Sequence, residues 1–157
     1  MAITGAMVAA DAVSFSDPDI LIDQTPASSS FINVESWATS ITVNGGDVPI
    51  SNFSTFTVPL VFIGKQNPYT IVVECAYTEA AITNVFKDVF DDYIASPGLL
   101  YDIKWHPEGA AIGNYIFTSS DGRLIDCTLP QGTSSGSDPT LFTMTFQCPS
   151  IAVSVGI

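Results

Sequence analysis

The chain is poor in charge. Across its 157 residues it carries 16 acids and only four bases, with a formal charge of −12. Charged residues make up 13% of it, about half the share of an ordinary soluble domain. The bases, Lys65, Lys87, Lys104 and Arg123, stand singly along the sequence. Direct phosphate binding draws on clustered Lys and Arg that release counterions, so this distribution argues against a nucleic-acid-binding surface. There is one histidine, His106, placed before a proline, and no G-x-S-x-G elbow accompanies it. A Ser-His-Asp or Cys-His constellation therefore has little to build on, and His106 reads as a turn residue. The three cysteines, Cys75, Cys127 and Cys148, lack C-x-x-C spacing and lie in apolar runs, as small buried hydrophobes of a protein made in a reducing cytoplasm. No apolar run approaches the ~20 residues of a membrane helix. Met1 to Phe15 lacks a basic leader-like start, and Asp11 and Ser14 break its apolar stretch. The sequon at Asn52-Phe53-Ser54 then has no secretory route to reach.

What the chain has in quantity is apolar surface. Hydrophobic residues make up 46%, enough for one ordinary domain with some surface left for neighbouring copies. The acidity has two readings: solubility, or a surface that repels a polyanion and lets it slide past.

Most of the pattern is strand-like. A first strand is expected over Ala6 to Phe15, a short piece at Ile20 to Ile22 and a loop over Gln24 to Ser30. Phe31 to Val43 reads as one long strand, with Trp37, Ile41 and Val43 on one face and Ala38, Ser40 and Thr42 on the other. Asn44-Gly45-Gly46 signals a tight reversal. Asp47 to Phe56, with Pro49, fits an extended arm or protruding hairpin better than a central strand. Val58 to Ile63 follows as a further strand. In Tyr69 to Tyr77 the odd positions, including Ile71, Val73 and Cys75, alternate with Thr70, Val72, Glu74 and Ala76.

A single amphipathic helix is expected over about residues 79–95. Thr78 is its cap, Glu79 lies in its first turn and Ser96-Pro97-Gly98 is its stop. Ile82, Val85, Phe86, Val89, Phe90, Tyr93 and Ile94 form the apolar face, whose burial is worth on the order of 10–20 kcal/mol. Thr83, Asn84, Lys87, Asp88, Asp91 and Asp92 lie opposite. So short a helix is marginal alone and has to lie across a sheet. Beyond it come Leu99 to Trp105, a turn at His106-Pro107-Glu108-Gly109 and a strand over Ala111 to Thr118. Asp121-Gly122 reads as a hairpin into Arg123 to Leu129. A Ser/Gly-rich loop spans Gln131 to Pro139. Thr140 to Cys148 carries Phe142, Met144, Phe146 and Cys148 inward, with Thr143, Thr145 and Gln147 outward. An apolar piece, Ile151 to Ile157, ends the chain. The expected fold is mainly β within α+β: an antiparallel sandwich or barrel flanked by one helix, in a single domain over 1–157 with an N-terminal arm of about 1–30 and a protruding loop of about 45–57.

Chemical motifs are sparse. Asp17, Asp19 and Asp23 lack the spacing of a calcium loop. Asp88, Asp91 and Asp92 read as a solvated helix face. No phosphate loop, zinc pattern or nucleotide fingerprint occurs. The expectation is a protein that is not an enzyme and has no cofactor.

The order of elements from Tyr69 to Ser150 resembles the tail tube (major tail) proteins of long-tailed bacteriophages. It comprises a strand, an amphipathic helix, the run Leu99-Leu100-Tyr101-Asp102-Ile103-Lys104-Trp105-His106-Pro107-Glu108-Gly109, a hairpin, a Ser/Gly-rich loop and a strand ending Cys148-Pro149. The resemblance covers about half of the chain and implies a structural virion subunit, made in the host cytoplasm, that closes into rings, usually six-fold. The rings stack with other tail proteins into a hollow tube through which DNA passes without specific binding, with no membrane contact. It also implies a loop reaching the next ring, here Gly45, Gly46, Asp47, Val48, Pro49, Ile50, Phe53 and Phe56, or the stretch through Ser30. By alternation the candidate lumen-facing residues are Glu74, Asp102, Asp126, Thr143, Thr145 and Gln147. Three further readings are a tail-completion or capsid-decoration protein, a ligand-binding β-sandwich, and a hydrolase using Glu74 and Asp102 as its carboxylate pair.

Overall fold

A computed structural model describes residues 18–24, 30–78, 85–131, 136 and 138–157. The strand expected at Ala6 to Phe15, most of the N-terminal arm, the first turn of the helix and most of the Ser/Gly-rich loop lie outside the described residues.

Among those described, eleven strands and one helix form a mainly antiparallel α+β structure. The strands are β1 (Asp19–Asp23), β2 (Phe31–Asn33), β3 (Ala38–Gly45), β4 (Ile50–Ser54), β5 (Pro59–Ile63) and β6 (Tyr69–Ala76). After the helix α1 (Val85–Ala95) come β7 (Leu100–His106), β8 (Tyr115–Ser120), β9 (Gly122–Cys127), β10 (Leu141–Cys148) and β11 (Ser150–Val155).

Two long bent strands organise the sheet. β8 and β9 run in one direction past β7: Lys104 and Trp105 pair with Thr118 and Phe117, while Leu100 and Tyr101 pair with Arg123 and Gly122. β10 and β11 follow them antiparallel along the other side, from Met144 opposite Cys127 to Val155 opposite Tyr115. Asp121-Gly122 is therefore a kink inside one long strand and not the hairpin that its sequence suggests. Asp121 has φ of 53° there, and Gly122 is needed because a Cβ would meet the Tyr101 carbonyl oxygen at 2.8 Å. The bend folds one half-sheet (β2-β1-β7-β8-β11) toward the other (β9-β10-β6-β3), a corner of the kind found where sandwich strands change sheets.

Both halves feed one core. Ile20, Ile22, Ile103 and Trp105 come from the first, and Ile71, Val73, Cys75, Phe142, Met144 and Phe146 from the second. The period of two expected for β6 and β10 is realised residue by residue. α1 lays Val85, Phe86, Val89, Phe90 and Tyr93 on this core, with Phe86 edge-on to Phe142 at 5.1 Å between ring centroids. The helix stops as expected: Ser96 N–H donates to the Asp92 carbonyl at 2.8 Å, and Gly98 takes φ of 81°. Ile94 departs from the expected face and is 63% exposed. Asp92, expected in solvent, is half-buried and accepts from the Tyr101 hydroxyl at 2.9 Å and the Gln24 amide at 3.2 Å.

The long strand expected from Phe31 to Val43 is broken. Its backbone turns at Val34 to Trp37, and a bulge at Thr39 puts Ala38 on the same side as Ile41, opposite to a strict alternation. The turn expected at His106 to Gly109 forms, with Gly109 N–H donating to the His106 carbonyl at 3.3 Å; His106 opens it as the last residue of β7 and is 7% exposed, with Nδ1 3.3 Å from the Asp19 carboxylate.

Removing a ring from the centre of this core tests the packing. Phe146→Ala, at a site with no exposure, is expected to lower the unfolding free energy by about 3–5 kcal/mol in urea titrations of the dilute protein. Phe62→Ala on the exposed β5 is expected to change it by less than ~0.5 kcal/mol.

Candidate functional site

The half-sheet β3-β6-β10-β9 has a second face, turned away from the core, and it is mostly polar, with Val72 and the Leu141–Ala76 pair among its apolar members. The registers fix three rows across it: Ser40–Glu74–Thr143, Thr42–Val72–Thr145–Asp126 and Asn44–Thr70–Gln147–Arg123. Hydroxyl contacts hold the first row together. Thr39 Oγ1 donates to Glu74 Oε1 at 2.9 Å, and Thr143 N–H donates to Thr128 Oγ1 at 2.8 Å. The one base on this face, Arg123, donates to the Gly98 carbonyl at 2.8 Å, beside the helix end.

Five of the six residues expected on a common polar face, Glu74, Asp126, Thr143, Thr145 and Gln147, are thus brought together. Asp102 is not. It lies on β7 in the other half-sheet, opposite Asp23 of β1, and accepts from the Asp121 amide at 3.2 Å. β10 and β9 stand between β6 and β7, so Glu74 and Asp102 are three strand spacings, about 14 Å, apart along the sheet. A carboxylate pair working on one glycosidic bond needs about 5–10 Å. Ser40, Thr42, Asn44 and Thr70 complete the face. They escape a search for carboxylates and become visible only once β3 is known to pair with β6.

The edges of this half-sheet are unlike one another. β3 pairs with β6 alone, so its outer edge has no strand partner among the described residues. At the far side β7 pairs with β9 at Gly122 and Arg123, and Leu124 N–H donates to the Leu99 carbonyl, leaving Ile125 to Cys127 without a strand partner on that side among the described residues. Ile125 is the extra residue of a bulge opposite Thr145/Phe146.

The second feature is the hairpin. β3 and β6 form a ribbon that continues past the core: Gly46 N–H donates to the Pro68 carbonyl, Asn67 N–H to Asp47 and Gly64 N–H to Pro49, and β4 then pairs with β5. Gly45 and Gly46, at φ of 85° and 74°, bend the ribbon without reversing it, and the reversal comes at Thr55 to Val58. A side chain at Gly46 would collide with the Tyr69 ring at 2.1 Å. Every residue of β4 and β5 is exposed. The expected loop over 45–57 is therefore only the outgoing arm. Val58 to Ile63, expected as an independent strand, is the returning one.

Lys87 pairs with Asp91, Asp92 is bound as above, and the hollow lined by Pro18, Ile20 and Ala38 to Ile41 contains no titratable side chain. No group of three or more His, Cys, Asp or Glu among the described residues is placed to hold a metal. Burial pushes the Cys75 thiol up to about 12, with Glu74 and Cys127 adding to it, and Cys127 up to about 11. The Asp102 carboxyl is raised above 3.8 chiefly by burial, against the Asp121 amide that stabilises the anion.

No protein-family model matches the sequence, and no curated protein matches it. Solved structures match in fold. A chain of the sheath-tube complex of an extracellular contractile injection system (PVC), in its extended state, superposes with a TM-score of 0.67 at 12% identity, covering 96% of this chain and 99% of that one. A chain of the PVC sheath/tube terminator gives 0.63 at 13% identity over 98% and 100%. A chain of the six-fold symmetrised baseplate of the anti-feeding prophage gives 0.61 at 9% identity over 88% and 91%. The chain has the fold found in these assemblies.

Two outcomes follow from the buried groups. Native protein at pH 8 is expected to show no rapidly reacting thiol toward a disulfide reagent, and three in denaturant. For Asp102 the sign is that of a raised carboxyl: it favours folding below the unfolded value and loses that contribution as pH rises through the folded one. Asp102→Asn, which keeps an oxygen for the Asp121 amide, is therefore expected to be at least as stable as the parent at pH 7. The difference, followed by urea titration, is expected to open only above pH 3.8.

Proposed function

We propose that this chain is a structural subunit that closes into rings and stacks into a hollow tube, with the polar face of β3-β6-β10-β9 lining the bore. One observation carries the reading: a four-stranded sheet whose outward face is mostly polar ends, among the described residues, in two unlike open edges, β3 and the far half of β9. Unlike edges make a heterologous contact, which closes into a ring when the rotation allows and leaves neither of these two edges unpaired. The fold shared with the sheath-tube and baseplate chains supports this reading.

If the ring is six-fold, as the symmetrised baseplate suggests, six copies supply a barrel of about 24 strands. At ~4.8 Å per strand its wall is about 37 Å across before strand tilt, and some 25 Å remains once side chains occupy the inside. Glu74 and Asp126 would then recur around the bore as rings of carboxylates among Thr, Ser, Asn and Gln. With two carboxylates to one base, Arg123, in each copy, such a surface offers a polyanion hydrogen-bonding contacts but little counterion release, and so passage without retention. The role proposed is that of a tail tube in a virion, with DNA as cargo and other tail proteins at the tube ends. The likeness to a sheath/tube terminator supports a second reading, a ring at the end of a tube rather than its repeating unit.

Negative-stain electron microscopy across a concentration and salt series separates the two. The tube reading expects hollow stacked rings that lengthen with concentration, whereas discrete particles of one closed symmetry at the highest concentration would contradict it and support the terminator. The lumen assignment has its own test. Tubes assembled from Glu74→Lys/Asp126→Lys are expected to retain duplex DNA at low salt and release it as salt rises, while the parent tubes retain none. Equal behaviour of both would place these residues outside the bore.

A further inference from the structure

The core-side face of the first half-sheet runs on past the core. Trp105, Phe117 and Val153 are cross-strand neighbours on β7, β8 and β11. Trp105 is buried, and Phe117 stacks on it at 5.4 Å and is half-buried. Val153, one strand further out, is 58% exposed. The next pair along, Tyr115 and Val155, is exposed on both strands. Backbone bonds between Gly113 and Gly156 and between Gly156 and Asn114 hold Ile112 and Ile157 at the same end, both exposed. Among the described residues β11 is also a sheet edge, paired only with β8. The result is an apolar overhang beside an open strand.

The hairpin is the other surface of this kind, with Phe53, Phe62 and Ile63 uncovered. Both surfaces are free of charge in a chain of −12. Residues 48–64 contain no charged side chain, and neither do 109–120 or 139–157, the segments that make the overhang. Two copies of so acidic a protein repel wherever their carboxylates face one another. The hairpin and the overhang are where they can approach without that cost and with apolar area to bury.

A contact of like with like would join hairpin to hairpin or overhang to overhang, closing a dimer and leaving the other surface exposed. A hairpin seated on an overhang covers both with one contact and leaves a fresh pair at each end. It also uses neither β3 nor β9, so it runs in a direction different from ring closure. We propose that the β4–β5 hairpin of one copy docks on the β8–β11 overhang of a copy in the adjacent ring, an inference that rests on the tube reading and names the partner surface of its stacking contact.

Single-cysteine additions in the full chain test it, since the native thiols are buried. Phe62→Cys protein is mixed with size-tagged Val153→Cys protein, assembled, and treated with a short bifunctional thiol reagent. Both positions are more than half exposed, so neither change strains the fold. The expected result is a dominant 62–153 product, with little 62–62 or 153–153. In a second variant, Val153→Asp, the concentration needed for stacking is expected to rise about tenfold or more, with single rings intact, because a carboxylate must enter an apolar contact. Stacked rings that give only like-with-like products, or no product, overturn the docking while leaving the tube. So does unassembled Val153→Cys protein whose introduced thiol resists the reagent, which would mean that the chain's own N-terminal residues cover the overhang. A monomer at every concentration overturns the docking and the tube reading together.

Discussion

Both faces of the proposed bore wall depend on the register of β10 between β6 and β9. Eight consecutive pairs join β10 to β6, and all but Thr145–Val72 put an apolar residue of one strand beside an apolar residue of the other, or a polar beside a polar. Phe142, Met144, Phe146 and Cys148 share the core side with Cys75, Val73, Ile71 and Tyr69. A slip by one residue would expose those side chains and bury Thr143, Thr145 and Gln147 with Glu74, at a cost of several kcal/mol per misplaced side chain. The polar face is thus the complement of the core. A sheet that must bury one side so completely has to present whatever remains on the other.

The same constraint separates what was legible in the sequence from what was not. β6 and β10 alternate strictly, and the alternation expected for both holds over Tyr69–Ala76 and Leu141–Cys148, each strand one residue shorter than expected. The helix body and its stop were legible because Phe86, Val89, Phe90 and Tyr93 recur at helical spacing before Ser96-Pro97-Gly98. The two strongest turn signals misled. Asn44-Gly45-Gly46 and Asp121-Gly122 supply positive φ, and positive φ changes the direction of a strand; whether the chain then pairs with itself depends on what lies alongside. At Gly122 it is Tyr101 of β7, and at Gly46 it is Pro68 of the ribbon's other arm. A dipeptide carries no information about either.

Asp102 illustrates the same gap on the side of the site. Its alternation along β7 is correct, with Tyr101, Ile103 and Trp105 buried around it. Its half-sheet is not decided by alternation, because β7 changes partner from β9 to β8 two residues further on. Val58 to Ile63 has no polar–apolar period at all, so nothing local marks it as the second arm of an uncovered hairpin. What does mark it is the absence of charge across residues 48–64, which becomes informative against a net charge of −12. Uncharged exposed stretches recur in the hairpin and in the β8–β11 overhang, and the proposed assembly gives each of them a partner.

The central claim is that β3 and the far half of β9 are open in the single chain and closed against each other between copies. Backbone amide hydrogen exchange, measured residue by residue on the dilute protein and on the assembled particle, tests this directly. Slow exchange at the interior strands β6 and β10 is expected in both states. On assembly, protection is expected to rise along Thr39 to Asn44 of β3 and Ile125 to Cys127 of β9, at alternate amides as a ladder requires. Assembled particles in which both edges exchange as fast as in the single chain would contradict the account.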